Sequence, residues 1–447
     1  MIDRGRLADL LLEEDRRFTD THPRSAALAE QAQGPLLAGV PMPWMTRWAG
    51  AFPVHLDHAS GARLVDVDGR EYVDLCLGDT GAMTGHALPQ VTAAIAQRAQ
   101  LGITTMLPSP DAVWVGEELA RRFGLPTWQL AMSATDANRF VLRFARYLTG
   151  RPRIAVMDWC YHGTVDETLA VLDGDSVVAR PGALGPQVPV AETTAVVPFN
   201  DLDALDRRLA QGDVACLLME PALTNIGIVL PDRGYLEGVR EVTRRHGVLL
   251  VNDETHTLCA GPGGATAAWG LEPDLLVVGK PIGGGIPCAA YGMSAEVADR
   301  LSRPMLGHEI DVAGVGGTLT GSALALSAIR ATLSTCLREE DFAVAVPLAT
   351  RFTAGVSEVI AAHGLDWHVQ QLGCRAEYWF CPPPRDGAAA AAAVDDELEG
   401  FLHLWCLNRG VLLTPFHNMA LFSPHHTEAD VDRHTEVFGE AVRALVA

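Results

Sequence analysis

Lys280 is the only lysine in this 447-residue chain; the other 33 of its 34 basic residues are arginine. On a surface the two are near-equivalent charges, but only the primary amine can shed its proton and attack a carbonyl at accessible pH. A lone lysine is therefore a candidate for chemistry that arginine cannot perform, against the plainer reading of chance survival under compositional drift. Lys280 ends the apolar run DLLVVGK (274–280), which disfavours a charged ammonium and so favours the nucleophilic amine. The glycines of PIGGGIP come after it, which excludes a Walker-type phosphate loop and allows close backbone approach to a ligand. Acids close two other apolar runs: Glu220 in VACLLME, and Asp253 with Glu254 in GVLLVNDE. In an open parallel sheet, ligands sit beyond the carboxyl ends of the strands, so these groups can face one crevice.

The elements needed to hold them there are legible. From about residue 110 to 330, short apolar runs alternate with helical segments, the pattern of an α/β layer with a parallel sheet. RIAVMD (153–158) adds a further strand, and RGYLEGVREVTRRHG (233–247) reads as a helix with a glycine stop. Residues 4–33 are helical in pattern, and ARLVDVDGREYVDL (62–75) reads as a hairpin around Asp68-Gly69. After GCRAEYWFCPPP, the alanine run from 388 predicts one helix to Gly410, then a strand at 411–414. The expected organisation is a helical segment and hairpin over 1–75 that joins a small domain, a large domain over 76–334, and a small α+β domain over 335–447.

Composition narrows the classes. With 48% hydrophobic residues the chain can bury a large core, and a net charge of −21 disfavours nucleic acid and anionic membranes as partners. The N-terminus is charged throughout and no uncharged apolar run nears membrane-spanning length. Nine scattered cysteines without CxxC or zinc spacing predict no metal site and suit a reducing cytoplasm.

An imine-forming lysine with a buried acid matches the needs of pyridoxal 5′-phosphate, whose ring nitrogen must stay protonated to draw electrons. Asp253 is the candidate acid. Ser133, Ala134 and Thr135 open the helical pattern MSATDANRFVLRFARYLTG, where a helix N-terminus can hold a phosphate; an ordinary N-cap is the simpler alternative for Ser133 or Thr135. Tyr161, in CYHG after a strand, offers a ring for stacking.

The ordered set SATDAN, YHG, EPALTNIG, NDETH, GKPIGGG and GGTLTGS resembles the class III aminotransferases of pyridoxal-phosphate fold type I, nearest in pattern to the glutamate-1-semialdehyde aminomutase branch. The resemblance spans roughly residues 40–420. It implies a large domain with a mainly parallel sheet and a smaller α+β domain. It implies that Lys280 forms the Schiff base and moves the proton, and that Asp253 pairs the pyridinium. Thr255 and Tyr161 would cover the two ring faces, Asn225 would meet the ring hydroxyl, and Glu220 would belong to the cofactor site. Thr318 would reach the phosphate of a neighbouring subunit, implying a homodimer. The activity implied is transfer of an amino group from an amino acid or amine to an oxo acid or ketone, with an aminomutase or racemase/epimerase as the alternative.

The chain also departs from the family pattern. Ala134 and Asp136 replace glycine and glutamate of SGTEA, and Thr255 replaces the valine of DEV. His256 stands where the family usually has another residue; it either meets the substrate or, as the preferred reading, fills a polar pocket. The stretch 412–424 lacks the arginine with which many relatives grip a keto-acid carboxylate. Arg47, between Trp44 and Trp48, and Arg375 are the candidate carboxylate forks.

Overall fold

Apolar runs become the strands of a seven-stranded sheet. The computed structural model describes residues 2–185 and 189–447. These fall into two units: residues 89–339 with 384–392, and residues 1–88 with 340–383 and 393–447.

The larger unit holds β1 (Thr127–Ala131), β2 (Arg153–Met157), β3 (Thr194–Val197), β4 (Val214–Met219), β5 (Leu249–Asp253), β6 (Leu275–Val278) and β7 (Ala289–Met293). Their order across the sheet is β1-β7-β6-β5-β4-β2-β3. The pairs β6–β5, β5–β4, β4–β2 and β2–β3 are parallel, and only β7 runs against its neighbours. β4 and β6 are buried at every position, as strands covered on both faces must be, which is why they read as unbroken apolar runs. Glu220 directly follows β4, Asp253 ends β5, and Lys280 lies two residues past β6, so three adjacent parallel strands deliver them to one edge. Helix α1 (Ala134–Thr149) follows β1 and ends at Gly150, whose φ of +66° is the left-handed turn that glycine adopts freely. Helix α2 (Tyr235–His246) links β4 to β5 and stops at Gly247, as its sequence predicts.

The smaller unit contains a four-stranded sheet in the order Leu56–Ser60, Arg63–Asp66, Glu71–Asp74, Val411–Leu412, and a three-stranded sheet of His368–Leu372, Arg375–Trp379 and Met419–Leu421. The hairpin around Asp68-Gly69 is present. Two predicted helices are each split. The pattern over 4–33 breaks at His22, because Pro23 disfavours a helical conformation in the residue before it and has no N–H to donate. The alanine-rich tail forms Gly387–Ala391 and then Asp396–Leu407; Asp395 leaves the helical conformation and caps the second helix by accepting the Leu398 N–H at 3.2 Å. The helix Glu339–Ala362 is long and apolar enough to cross a membrane, the one such helix among the described residues. Mid-helix, however, Arg351 forks onto Asp432 at 2.6 and 2.9 Å, and Phe342, Leu348, Phe352 and Val356 are buried. It buries one face, with the other exposed.

Candidate active site

Asp253 is a carboxylate with almost no access to solvent and four hydrogen-bond donors. Oδ2 accepts from Asn138 Nδ2 and His162 Nδ1, each at 2.9 Å; Oδ1 accepts from the Thr255 N–H at 3.1 Å and the Thr255 hydroxyl at 2.6 Å. Burial pushes its pKa up, but the His162, Thr255 and Asn138 donors outweigh that and hold it at about 2. Burial likewise disfavours a charge on His162, yet Cys160 and Asp253 beside it raise its pKa well above the ordinary value. Neighbouring Glu254 shows the opposite outcome. Its oxygens accept from Thr257, Ala265 and Thr266, all neutral donors, and burial prevails to raise its pKa. Glu254 pins the following loop, whereas Asp253 is kept as an anion.

Lys280 adopts φ +49°, a left-handed conformation that costs a non-glycine residue about 1–3 kcal/mol and gathers at functional sites. Its Nζ lies 2.5 Å from His256 Nε2. His256 Nδ1 is 2.9 Å from the Thr224 hydroxyl, which donates to Glu220. A continuous hydrogen-bonded row thus crosses the ends of β4, β5 and β6.

Ser133 caps α1: its Oγ accepts the Asp136 N–H at 3.2 Å and donates to Asp136 Oδ2 at 3.0 Å. The amides of Ala134 and Thr135 lie in the first turn, where a helix leaves its N–H groups without internal partners. The Thr135 hydroxyl accepts the Thr164 N–H at 3.1 Å, and a Cβ on Gly163 would collide with it. A Cβ on Gly279 would come within 3.0 Å of the Ala134 Cβ. Gly279 therefore gives the room that Ala134, in place of the usual glycine, requires. These contacts bring the SATDAN, YHG and GK segments together.

Tyr161 and Asn225 are partly exposed; Asn225 sits in a tight loop closed by the bridge between Leu223 and Val229. Thr318 is exposed and borders a cavity of about 180 Å³ with Thr105, Leu107, Gly317 and Ser322. In the smaller unit, Arg47 is exposed at the end of a short 3-10 turn, Pro43–Arg47. Arg375, by contrast, is wholly buried, with Nη2 3.1 Å from Glu377, whose carboxylate also meets His417 Nδ1 at 3.2 Å.

Two residues of the aspartate cluster escaped the sequence reading. Asn138 lies among Ala137, Val141, Leu142 and Ala145 on the buried stripe of α1, so an amide on an apolar face was the available signal. His162 sits inside the YHG segment, one residue past the tyrosine whose ring invites attention first.

The donor set suits a cofactor with a cationic ring nitrogen and a dianionic phosphate: a buried, ionised acid, an open helix N-terminus and a lysine at the same sheet edge. The aminotransferase class-III family model matches residues 44–364. The chain is 34% identical over 93% of its length to glutamate-1-semialdehyde 2,1-aminomutase of Acidobacterium capsulatum, of which it covers 98%. It is 47% identical, with a TM-score of 0.97 and 99% of both chains covered, to a glutamate-1-semialdehyde-aminomutase from Pseudomonas aeruginosa, also solved as a lysine-to-alanine variant in complex with PMP. An omega-transaminase from Sphaerobacter thermophilus is similar at 27% identity and TM-score 0.87, over 95% of this chain and 98% of that one. The chain belongs to the class III aminotransferase family, of fold type I, whose members are pyridoxal-phosphate enzymes.

Proposed function

We propose that this enzyme shifts an amino group within a single substrate, as an aminomutase of the glutamate-1-semialdehyde type. The observation that carries this reading is the likeness over 99% of the chain to the Pseudomonas aeruginosa aminomutase. The absence of arginine from 412–424 supports it, because an isomerase has no separate keto-acid acceptor to grip. Transfer between two molecules is the second reading, favoured by the omega-transaminase likeness.

Bound pyridoxal phosphate supplies an electron sink that acidifies the carbon bearing the amino group. Lys280 would hold the cofactor through its amine and, once freed, would take the proton from the carbon that bears the amino group and give it back on the cofactor side. Asp253 keeps the ring nitrogen protonated. A carboxylate has about four acceptor positions, and those of Asp253 are engaged by Asn138, His162 and Thr255. The Thr255 hydroxyl, which turns about one bond, would be the donor to give way to a ring N–H. Its methyl group and Tyr161 would flank the ring, and Asn225 would meet the ring hydroxyl. Ser133, Ala134 and Thr135 hold the phosphate at the α1 N-terminus, and Glu220 closes the site beyond β4. Thr318 would serve the phosphate of a second copy; exposed Met106 and Leu107, which line its cavity, and the adjacent exposed Leu319 suit burial in a homodimer. Arg47, exposed, is the better fork for a substrate carboxylate, since Arg375 is already buried against Glu377.

Incubation with glutamate-1-semialdehyde and no second amine or oxo acid tests the reading. Sustained conversion to the isomer with the amino group on the neighbouring carbon is expected. A reaction that stops after about one equivalent per site, and resumes only with an added oxo acid or amine, favours the transaminase instead.

A further inference from the structure

The row Glu220–Thr224–His256–Lys280 goes beyond the roles above, because its third member stands where the family pattern has a different residue. A hydroxyl carries one proton, and Thr224 gives it to the Glu220 carboxylate. Facing His256, Thr224 Oγ1 can then only accept, so His256 Nδ1 carries the hydrogen of that 2.9 Å contact. In the neutral ring this leaves Nε2 as a bare lone pair, and it points at Lys280 Nζ from 2.5 Å. All three supporting side chains are buried, at 3, 0 and 7% exposure, so neither the tautomer nor the ring orientation is left to solvent.

We infer that His256 is a positioning residue for Lys280, accepting one amine hydrogen so that the lysine stays in place and keeps its lone pair turned away whenever it is not joined to the cofactor. The inference rests on the reading of Lys280 as cofactor anchor and proton carrier. A four-carbon stem with about 2 kcal/mol of rotamer entropy otherwise wanders when the substrate displaces it. His256 itself neither gains nor loses a proton. Lys280 takes the substrate proton as an ammonium, still donating to Nε2, and gives the same proton back. This gives His256 a directional role beyond filling a polar pocket.

The sole lysine makes the test clean. Cofactor-stripped full-length chain is mixed with pyridoxal phosphate, sampled into borohydride, and the label on the Lys280 peptide is counted by mass spectrometry. His256→Asn keeps a donor near Thr224 but cannot reach Nζ; His256→Gln places an amide oxygen where Nε2 was; Thr224→Val removes the acceptor that sets the tautomer, and Thr224→Ser retains it. Labelling is expected to slow about tenfold in H256N and several-fold in T224V. It should stay within about threefold of wild type in H256Q and T224S. In the reconstituted enzymes, kcat for glutamate-1-semialdehyde should fall in the same order with KM little changed. Wild-type labelling rates in both H256N and T224V overturn the inference, as does an H256Q rate no better than H256N, which marks a loss of shape alone. Lys280→Ala separates the layers: a trapped adduct surviving in K280A overturns the reading of Lys280 itself, whereas a blank K280A beside an unaltered H256N overturns only the role of His256.

Discussion

Two buried carboxylates, one in each unit, show what distinguishes a working anion from a structural one. Glu377 in the smaller unit and Asp253 in the larger one both have their pKa lowered although burial opposes it. Glu377 is held down by His417 first and then by Arg375, a permanent cation. Asp253 has no arginine or lysine among its four donors, only a histidine, an amide, a hydroxyl and a backbone N–H. The first cluster is electrically complete within the fold. The second has for its countercharge only His162, an imidazole that can give up its charge as a proton, beside neutral donors. The difference explains why Arg375, attractive in sequence as a carboxylate fork, belongs in the proposal to the core, and why Asp253 belongs to the chemistry.

The comparison can be broken in several ways. Asp253→Asn keeps the shape and removes the charge; kcat should fall on the order of a thousandfold in steady-state assays, as for loss of a central electrostatic group, while thermal unfolding at pH 7 still shows a folded protein. Arg375→Leu should leave cofactor trapping at Lys280 intact but cost about 3–5 kcal/mol of stability by stranding Glu377, read as a lower urea midpoint. Swapping the outcomes of these two variants would invert the account.

The Asp253 contribution also has a pH signature. Its folded pKa of about 2 lies below the unfolded value, so its stabilisation is present above about pH 4 and lost as pH falls through 2. Between pH 5 and the acid limit, wild type should lose about 2 kcal/mol more than D253N in urea titrations. An identical acid dependence would mean that the carboxylate is not selectively stabilised. Thr255→Val should have the smallest effect: cofactor affinity within about threefold of wild type, since the hydroxyl only yields its place. A tenfold loss by fluorescence titration would make that hydroxyl a cofactor ligand in its own right.

Much of this arrangement was legible because it is local. Buried parallel strands announce themselves as apolar runs, so the positions of Glu220, Asp253 and Lys280 at strand ends could be read directly. The lysine stood out because every other basic side chain is an arginine. The split helices were harder: Pro23 interrupts a continuous pattern, and Asp395 divides the alanine-rich one only because it leaves the helical conformation and caps the helix Asp396–Leu407. Contacts formed across strands were not legible at all. Asn138 reaches Asp253 from 115 positions away, set by how α1 packs on the sheet, and His256 meets Lys280 across two strand ends, set by register; one sequence spells out neither.

The central claim is that the chain's only side-chain amine carries pyridoxal phosphate. Borohydride reduction of the holoenzyme, followed by peptide mass spectrometry, should find one phosphopyridoxyl group per chain on Lys280, with loss of visible absorbance and of turnover. An adduct on the N-terminal amine alone, or full activity in an enzyme whose Lys280 remains unmodified, would contradict it.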